Sequence, residues 1–228
     1  MADALRKLDE NVWVAEQPLK FMGIEVGTRM TVIRLADGAL WVHSPVHLTS
    51  ELRRAVETIG RVRFVVAPNS LHHLFIAEWT ATWPESLACA SPSLPRKRKD
   101  LRFHRVLTGE TPSEWAGQID MLLWHGAPSV GEVVFFHRAS RTLVLTDSLH
   151  NPGRDGSEFA NVVFRFFGGR TDRPSTWLVD RIVNSDRKAA RRTVDAILEW
   201  GFRRIILAHG AVVEHDAVRA FREAYTWL

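Results

Sequence analysis

The chain holds a single cysteine, Cys89, no internal repeat, no low-complexity segment and no long apolar run. One cysteine excludes an internal disulfide framework. Crossing a bilayer takes about 20 consecutive apolar residues, and no run in the sequence approaches that length. The opening stretch MADALRKLDENVWV lacks the apolar segment and small-residue cleavage site of a secretory leader, so a reducing cytoplasm is the expected setting. An excess of one charge is also missing, with a formal net charge of only +4. Two dense basic runs, PRKRKD (95–100) and RKAARR (187–192), carry none of the interleaved aromatics of a single-strand binder. They read as solvated faces, and nucleic-acid binding is not expected.

What is present is the composition of one globular domain spanning 1–228, with 46% hydrophobic and 25% charged residues. A chain of this length buries roughly 70% of its unfolded surface. The nine tryptophans fall mostly on apolar faces and read as core and interface residues. A first strand is expected around Asn11 to Ala15, then two β-rich runs joined by the tight-turn dipeptide Asp37-Gly38. Thr49 or Ser50 should cap a helix running through Ile59, with Leu52, Val56 and Ile59 on one stripe and Gly60 as its stop. Residues 62–67 are continuously apolar and predict a strand buried on both faces. A helix over about 72–83, a short strand over 87–91 and a loop-rich basic stretch (92–120) follow. Then come a strand over 119–126, a hairpin over 131–147, a polar loop (148–176), a helix over 185–201, a strand over 203–210 and a last helix over 216–227. Two β-rich halves, each with helices for an outer face, predict an α+β fold, a four-layer αββα sandwich.

The histidines and acids follow this pattern. His72 and His73 follow the strand at 62–67, His125 follows MLLW, Asp147 follows TLVLT and His209 follows RIILA. Four strands thus each release a ligand-type residue, and strands of shared direction would bring these ends to one edge. Imidazoles with a carboxylate suit one divalent metal, zinc by default, with iron and manganese as alternatives. Each residue also has a bland reading, a satisfied polar group at a strand end or, for Asp147, a turn residue. His137 at a hairpin turn and His104 in the basic loop lack the strand-end position, while His47 and His150 only neighbour the candidates in sequence.

On these residues the chain resembles the metallo-β-lactamase-fold superfamily, as a divergent branch of unassigned function. That superfamily's signature is a strand followed by His-x-His-x-Asp-His. Laid on VVAPNSLHH, its first His falls on Pro68, its second on Ser70, its Asp on His72 and its last His on His73. The family's next His matches His125, its metal-bridging Asp matches Asp147 in LVLTDS, and its final His matches His209 in LAHG. The early Asp-Thr-Gly reads His43-Ser44-Pro45. The resemblance implies that the first metal has lost two of its three ligands. It implies a mononuclear second site on His72, His73, Asp147 and His209. The implied activity is hydrolysis of an ester, thioester, amide or phosphoester by metal-bound water, with His125 or His150 moving a proton. Four protein ligands would equally describe a closed structural zinc. The alternative is a non-catalytic sandwich whose vestigial site binds a small molecule or a protein partner. A small-molecule substrate is the expected partner, a membrane is not, and a homodimer stays open. The loops 17–30, 92–118 and 148–176, which would line a pocket, match no recognition motif.

Overall fold

The computed structural model describes residues 4–21, 23–152 and 169–228. The middle of the loop expected over 148–176 therefore lies outside the described residues. Among the described residues thirteen strands run in chain order: β1 (Arg6–Asp9), β2 (Val12–Gln17), β3 (Lys20–Phe21), β4 (Ile24–Glu25), β5 (Thr28–Arg34), β6 (Ala39–His43), β7 (Arg61–Ala67), β8 (Leu87–Ala90), β9 (Arg105–Val106), β10 (Ile119–Leu123), β11 (Val133–His137), β12 (Thr142–Val144) and β13 (Arg204–Ile206). The helices are α1 (Ser50–Ile59), α2 (Ile76–Thr82), α3 (Leu94–Lys97), α4 (Leu178–Val183), α5 (Arg187–Glu199) and α6 (Ala217–Ala224). No helix among the described residues is long and apolar enough to cross a membrane.

Two sheets carry the architecture. The larger has the order β1-β2-β5-β6-β7-β8-β9, the smaller β10-β11-β12-β13. Strands β6 to β9 run parallel, as do β12 and β13. Between the sheets lie Ile33, Trp41, Phe64, Val66 and Cys89 from one and Ile119, Met121, Val133, Phe135 and Ile206 from the other. The opposite face of the large sheet offers Val32, Val42, Val62 and Val65 to Leu52, Val56, Ile76 and Trp79 of α1 and α2. The outer face of the small sheet offers Val134, Phe136, Leu143 and Ile205 to Val194, Ile197 and Phe221 of α5 and α6. Four layers result, each sheet apolar on both faces, as a strand covered on both sides requires.

Side-chain alternation with period two would put Val62 and Phe64 on one face. They face different layers because Arg63 is left unpaired: Leu40 pairs with Val62 and the next residue, Trp41, with Phe64. The extra residue is a bulge, and it resets the phase of β7 before its end.

Helix ends follow ordinary capping chemistry. Thr49 accepts the Leu52 N–H, and Asp186 accepts the Ala189 N–H. The helix expected from 72 begins instead at Ile76. Asn69 is the cause. Its side-chain Oδ1 accepts the N–H groups of Leu71 and His72, both at 2.8 Å, and commits residues 69–72 to a turn.

Candidate metal centre

Three of the strand-end residues meet at one edge of the sandwich. His72 stands on the turn after β7, Asp147 beyond β12 and His209 beyond β13. Because β12 and β13 are parallel with Thr142 opposite Arg204, their exits lie side by side. His72 Nε2 lies 3.3 Å from Asp147 Oδ1 and 3.2 Å from His209 Nε2, and His209 Nε2 lies 3.6 Å from Asp147 Oδ1. Among the described residues this trio is the group of His, Cys, Asp or Glu side chains whose donor atoms converge closely enough for one metal ion.

Each of the three is held from behind. His209 Nδ1 is 2.7 Å from the carbonyl of Gly27, which can only accept, so Nδ1 carries a proton and Nε2, facing the cluster, is the nitrogen left to take a second proton or a cation. His72 Nδ1 meets Ser44 Oγ at 2.9 Å. Asp147 Oδ2 accepts from Asn69 Nδ2 at 2.5 Å, which leaves Oδ1 for the two imidazoles. The same Asn69 amide donates to Thr146 Oγ1 at 2.9 Å, so its donors serve Thr146 and Asp147 while its oxygen holds the His72 turn. Beneath Asp147 lies Glu132, 1% exposed, which accepts from Thr146 N at 2.6 Å, Asp147 N at 3.2 Å and Ser148 Oγ at 2.5 Å. Buried polar anchors of this kind fix the orientation of the groups they touch.

The electrostatics follow from crowding acceptors into a buried space. Burial raises the carboxyl of Asp147, but the imidazoles of His72 and His209 outweigh it and hold it well below the usual carboxylate range. Burial works against a charged His209, yet its hydrogen bond to Asp147 and that residue's charge raise its pKa above 6.5. Burial and the charge of Asp147 push Glu132 up.

The donor set fits a divalent ion. A tetrahedron with metal–ligand bonds of 2.0–2.1 Å has edges of about 3.3 Å. The separations of 3.2, 3.3 and 3.6 Å match that edge without any movement. Two imidazoles and one carboxylate make a nitrogen–oxygen set suited to zinc, iron or manganese. Three protein donors leave a fourth position open, unlike a closed structural site.

The other expected site residues lie elsewhere. His73, next to His72 on the same turn, faces away from the trio and toward Arg98. It is 5% exposed, and its Nδ1 accepts from Arg98 Nη1 at 3.0 Å. Its other nitrogen, Nε2, has no partner among the described residues. Of the four ligands expected from the signature, the structure brings three together and leaves His73 outside the cluster. His125 is exposed and lines a cavity of about 300 Å³ with Leu122, Ala189, Arg192 and Thr193, between β10 and α5. The backbone that faces Ser70 is that of Ser129 and Val130. His150 is buried, 3.2 Å from Asp180, and stacks on Trp177 with ring centroids 4.4 Å apart. His43 lies beneath the cluster, stacked on Trp41, and burial with the nearby His72 pushes it down to about 3. It stays neutral at any working pH.

Sequence reasoning missed Arg29, Asn69 and Glu132, the buried groups behind the trio. Asn69 stood in plain sight between Pro68 and Ser70, at a position the signature leaves open. Glu132 and Arg29 carried no signal beyond being lone charges at the starts of apolar runs.

A family model described as a domain of unknown function, DUF4336, matches residues 9–159. No curated protein matches the sequence. Among solved structures, the chain is similar to a metallo-β-lactamase from Erythrobacter litoralis with β-mercaptoethanol in the active site, at 12% identity and TM-score 0.67, over 100% of this chain and 98% of that one. It is similar to a metallo-β-lactamase from Pontibacter korlensis at 10% identity and TM-score 0.66, over 97% of each chain. The metallo-β-lactamase FIM-1 from Pseudomonas aeruginosa in its mono-zinc form matches at 8% identity and TM-score 0.65, over 97% of this chain and 93% of that one. The fold is that of the metallo-β-lactamases, and at such identities the likeness is one of fold.

Proposed function

The chain belongs to the family of the DUF4336 domain, whose function is unknown, and from that premise we propose that it is a metal-dependent hydrolase with a mononuclear centre on His72, Asp147 and His209. The observation that carries this reading is the convergence of two imidazole nitrogens and one carboxylate oxygen within 3.6 Å. Zinc is the first choice, with iron and manganese behind it. Such an ion, when bound, polarises a carbonyl or phosphoryl oxygen and makes water more acidic.

The protein's own groups do the positioning. Gly27 fixes the His209 tautomer that exposes Nε2, Ser44 orients the His72 ring, and Asn69 aims Asp147 Oδ1 inward. Asp147 supplies the only negative charge within the trio, so a water molecule there meets a less electron-rich centre than one with two carboxylates would provide. The substrate class is an ester, thioester, amide or phosphoester. His125 lines the cavity between β10 and α5 and His150 pairs with Asp180, so this reading gives neither a role.

The test is metal content per chain after purification without chelator, followed by hydrolysis of a panel of aryl esters, thioesters and phosphoesters. One metal per chain, lost in both Asp147→Ala and His209→Ala, together with turnover that disappears in the same variants, is the expected result. No metal even after adding zinc, iron or manganese would sink the reading. A second reading, a non-catalytic metal-binding member, draws on the loss of ligands at Pro68 and Ser70. Stoichiometric metal with no turnover across the panel would select it.

A further inference from the structure

Arg29 is a buried guanidinium far from any surface role. It opens β5, is 5% exposed, and reaches across 178 to 181 residues of sequence to the loop that carries His209. Its Nη1 donates to the carbonyl of Leu207 at 2.5 Å and its Nη2 donates to the carbonyl of Gly210. Its Nε donates to Glu16 Oε1 at 3.0 Å, which holds the guanidinium plane in place. Two residues earlier, the carbonyl of Gly27 accepts a hydrogen bond from His209 Nδ1. The segment 207–210 is thus gripped at both ends by one guanidinium and in its middle by the backbone next to that guanidinium.

The far side of the segment is closed as well. Gly210 has φ +69°, and a Cβ there would lie 1.9 Å from the carbonyl oxygen of Asn151. Ala211 N donates to that same oxygen at 2.7 Å. Leu207 and Gly210 lie beyond the end of β13, where the sheet no longer fixes the chain. Only a planar fork with donors on both arms can hold two carbonyls and a carboxylate at once, and a lysine ammonium is a point donor on a flexible stem.

We propose that Arg29 is the positioning residue that, through the Leu207 and Gly210 carbonyls, sets the reach of His209 and keeps its Nδ1 against the Gly27 carbonyl that fixes the tautomer. The inference rests on the metal-centre reading for its effect on metal, but not for its effect on His209 itself. Positioning groups behind a metal ligand typically govern 10- to 100-fold in affinity.

The experiment is a metal-affinity cycle with zinc on the full chain, comparing wild type, Arg29→Lys, His209→Ala and the double variant. Glu16→Gln serves as a gentler variant that loosens the guanidinium without removing it. The expected result is roughly a 10- to 100-fold loss in Arg29→Lys and a smaller loss in Glu16→Gln. In the His209→Ala background, where zinc no longer co-purifies but its residual binding is titrated at high zinc, adding Arg29→Lys changes that residual affinity by less than about threefold, as coupled residues require. An equal loss in both backgrounds overturns the proposal, since Arg29 would then act on the fold at large. A nitrogen-15 spectrum of the His209 ring in metal-free protein separates this proposal from the metal reading. If wild type binds no metal but shows the Nδ1–H tautomer, and Arg29→Lys and Glu16→Gln mix the tautomers, the positioning role stands while the metal reading falls. An unchanged His209 tautomer in folded Arg29→Lys and Glu16→Gln overturns the positioning role, whatever the metal result.

Discussion

Two neighbouring regions at the same edge of the sandwich have gone opposite ways. Around Pro68 and Ser70, onto which the resemblance lays the first two histidines of the signature, backbone has closed on backbone. Val133 N donates to the Pro68 carbonyl at 2.8 Å, Ser70 N to the Val130 carbonyl at 3.3 Å, and Lys97 Nζ to the Ser70 carbonyl at 2.7 Å. A few residues on, around His72, Asp147 and His209, side chains converge and each is backed by a buried polar group. Around Pro68 and Ser70 the polar backbone has found protein partners. Around the trio two imidazole nitrogens and a carboxylate oxygen face one another, an arrangement that costs free energy unless a proton or a cation sits among them. The contrast separates a region filled by backbone from one built of converging side chains.

The comparison breaks most sharply at Asn69, the residue that joins the two regions. Asn69→Ala removes the hold on Asp147 and on the His72 turn together. It should destabilise the fold by about 1–3 kcal/mol in denaturant unfolding and weaken zinc binding by roughly 10- to 100-fold in competition titrations. A variant with unchanged zinc affinity would mean that the built region holds itself without this amide.

Proton competition sharpens the same contrast. Metal binding needs His209 Nε2 unprotonated, and Asp147 raises the His209 pKa above 6.5 in the metal-free protein. Affinity should therefore be full above that raised value. It should begin to fall while the pH is still above the ordinary histidine range, by about tenfold per pH unit for one displaced proton. Calorimetric titrations across pH 5.5–8.5 would read the slope, and a flat profile would remove His209 from the ligand set.

His73→Ala provides a smaller effect. Its imidazole faces Arg98, so zinc affinity should stay within about threefold of wild type, and a loss comparable to that of Asp147→Ala would reinstate it as a ligand. The smallest effect belongs to the filled region. Restoring histidines as Pro68→His with Ser70→His should leave metal content at one per chain, because the loop opposite presents Ser129 and Val130 to Ser70. Two metals per chain by elemental analysis would show that the filling is superficial.

Much of this was legible in the residues themselves. Apolar runs bounded by Gly and Pro mark the strands well because the central strands are buried on both faces, and the same burial makes a polar residue at a strand end conspicuous. His72, Asp147 and His209 stand out for that reason. His73 could not be separated from His72, because sequence does not say which way each residue of a turn points. The helix expected from 72 failed for a related cause: the Asn69 side chain competes with the helix for the Leu71 and His72 N–H groups. Arg29 and Glu132 were out of reach entirely. A charged residue in a chain that is 25% charged looks like surface, and only the partner far away in sequence shows that it is buried.

The lone thiol has a practical side. Cys89 lies between the two sheets with no exposed surface, and burial pushes its pKa up to about 12. The folded protein is therefore silent to thiol reagents at neutral pH, since the reactive species is the thiolate. Any labelling must wait for the sheets to part. The chain carries its own clock for the opening of the sandwich, and the difference in labelling rate with and without metal would report how tightly an ion at the edge clasps the two sheets together.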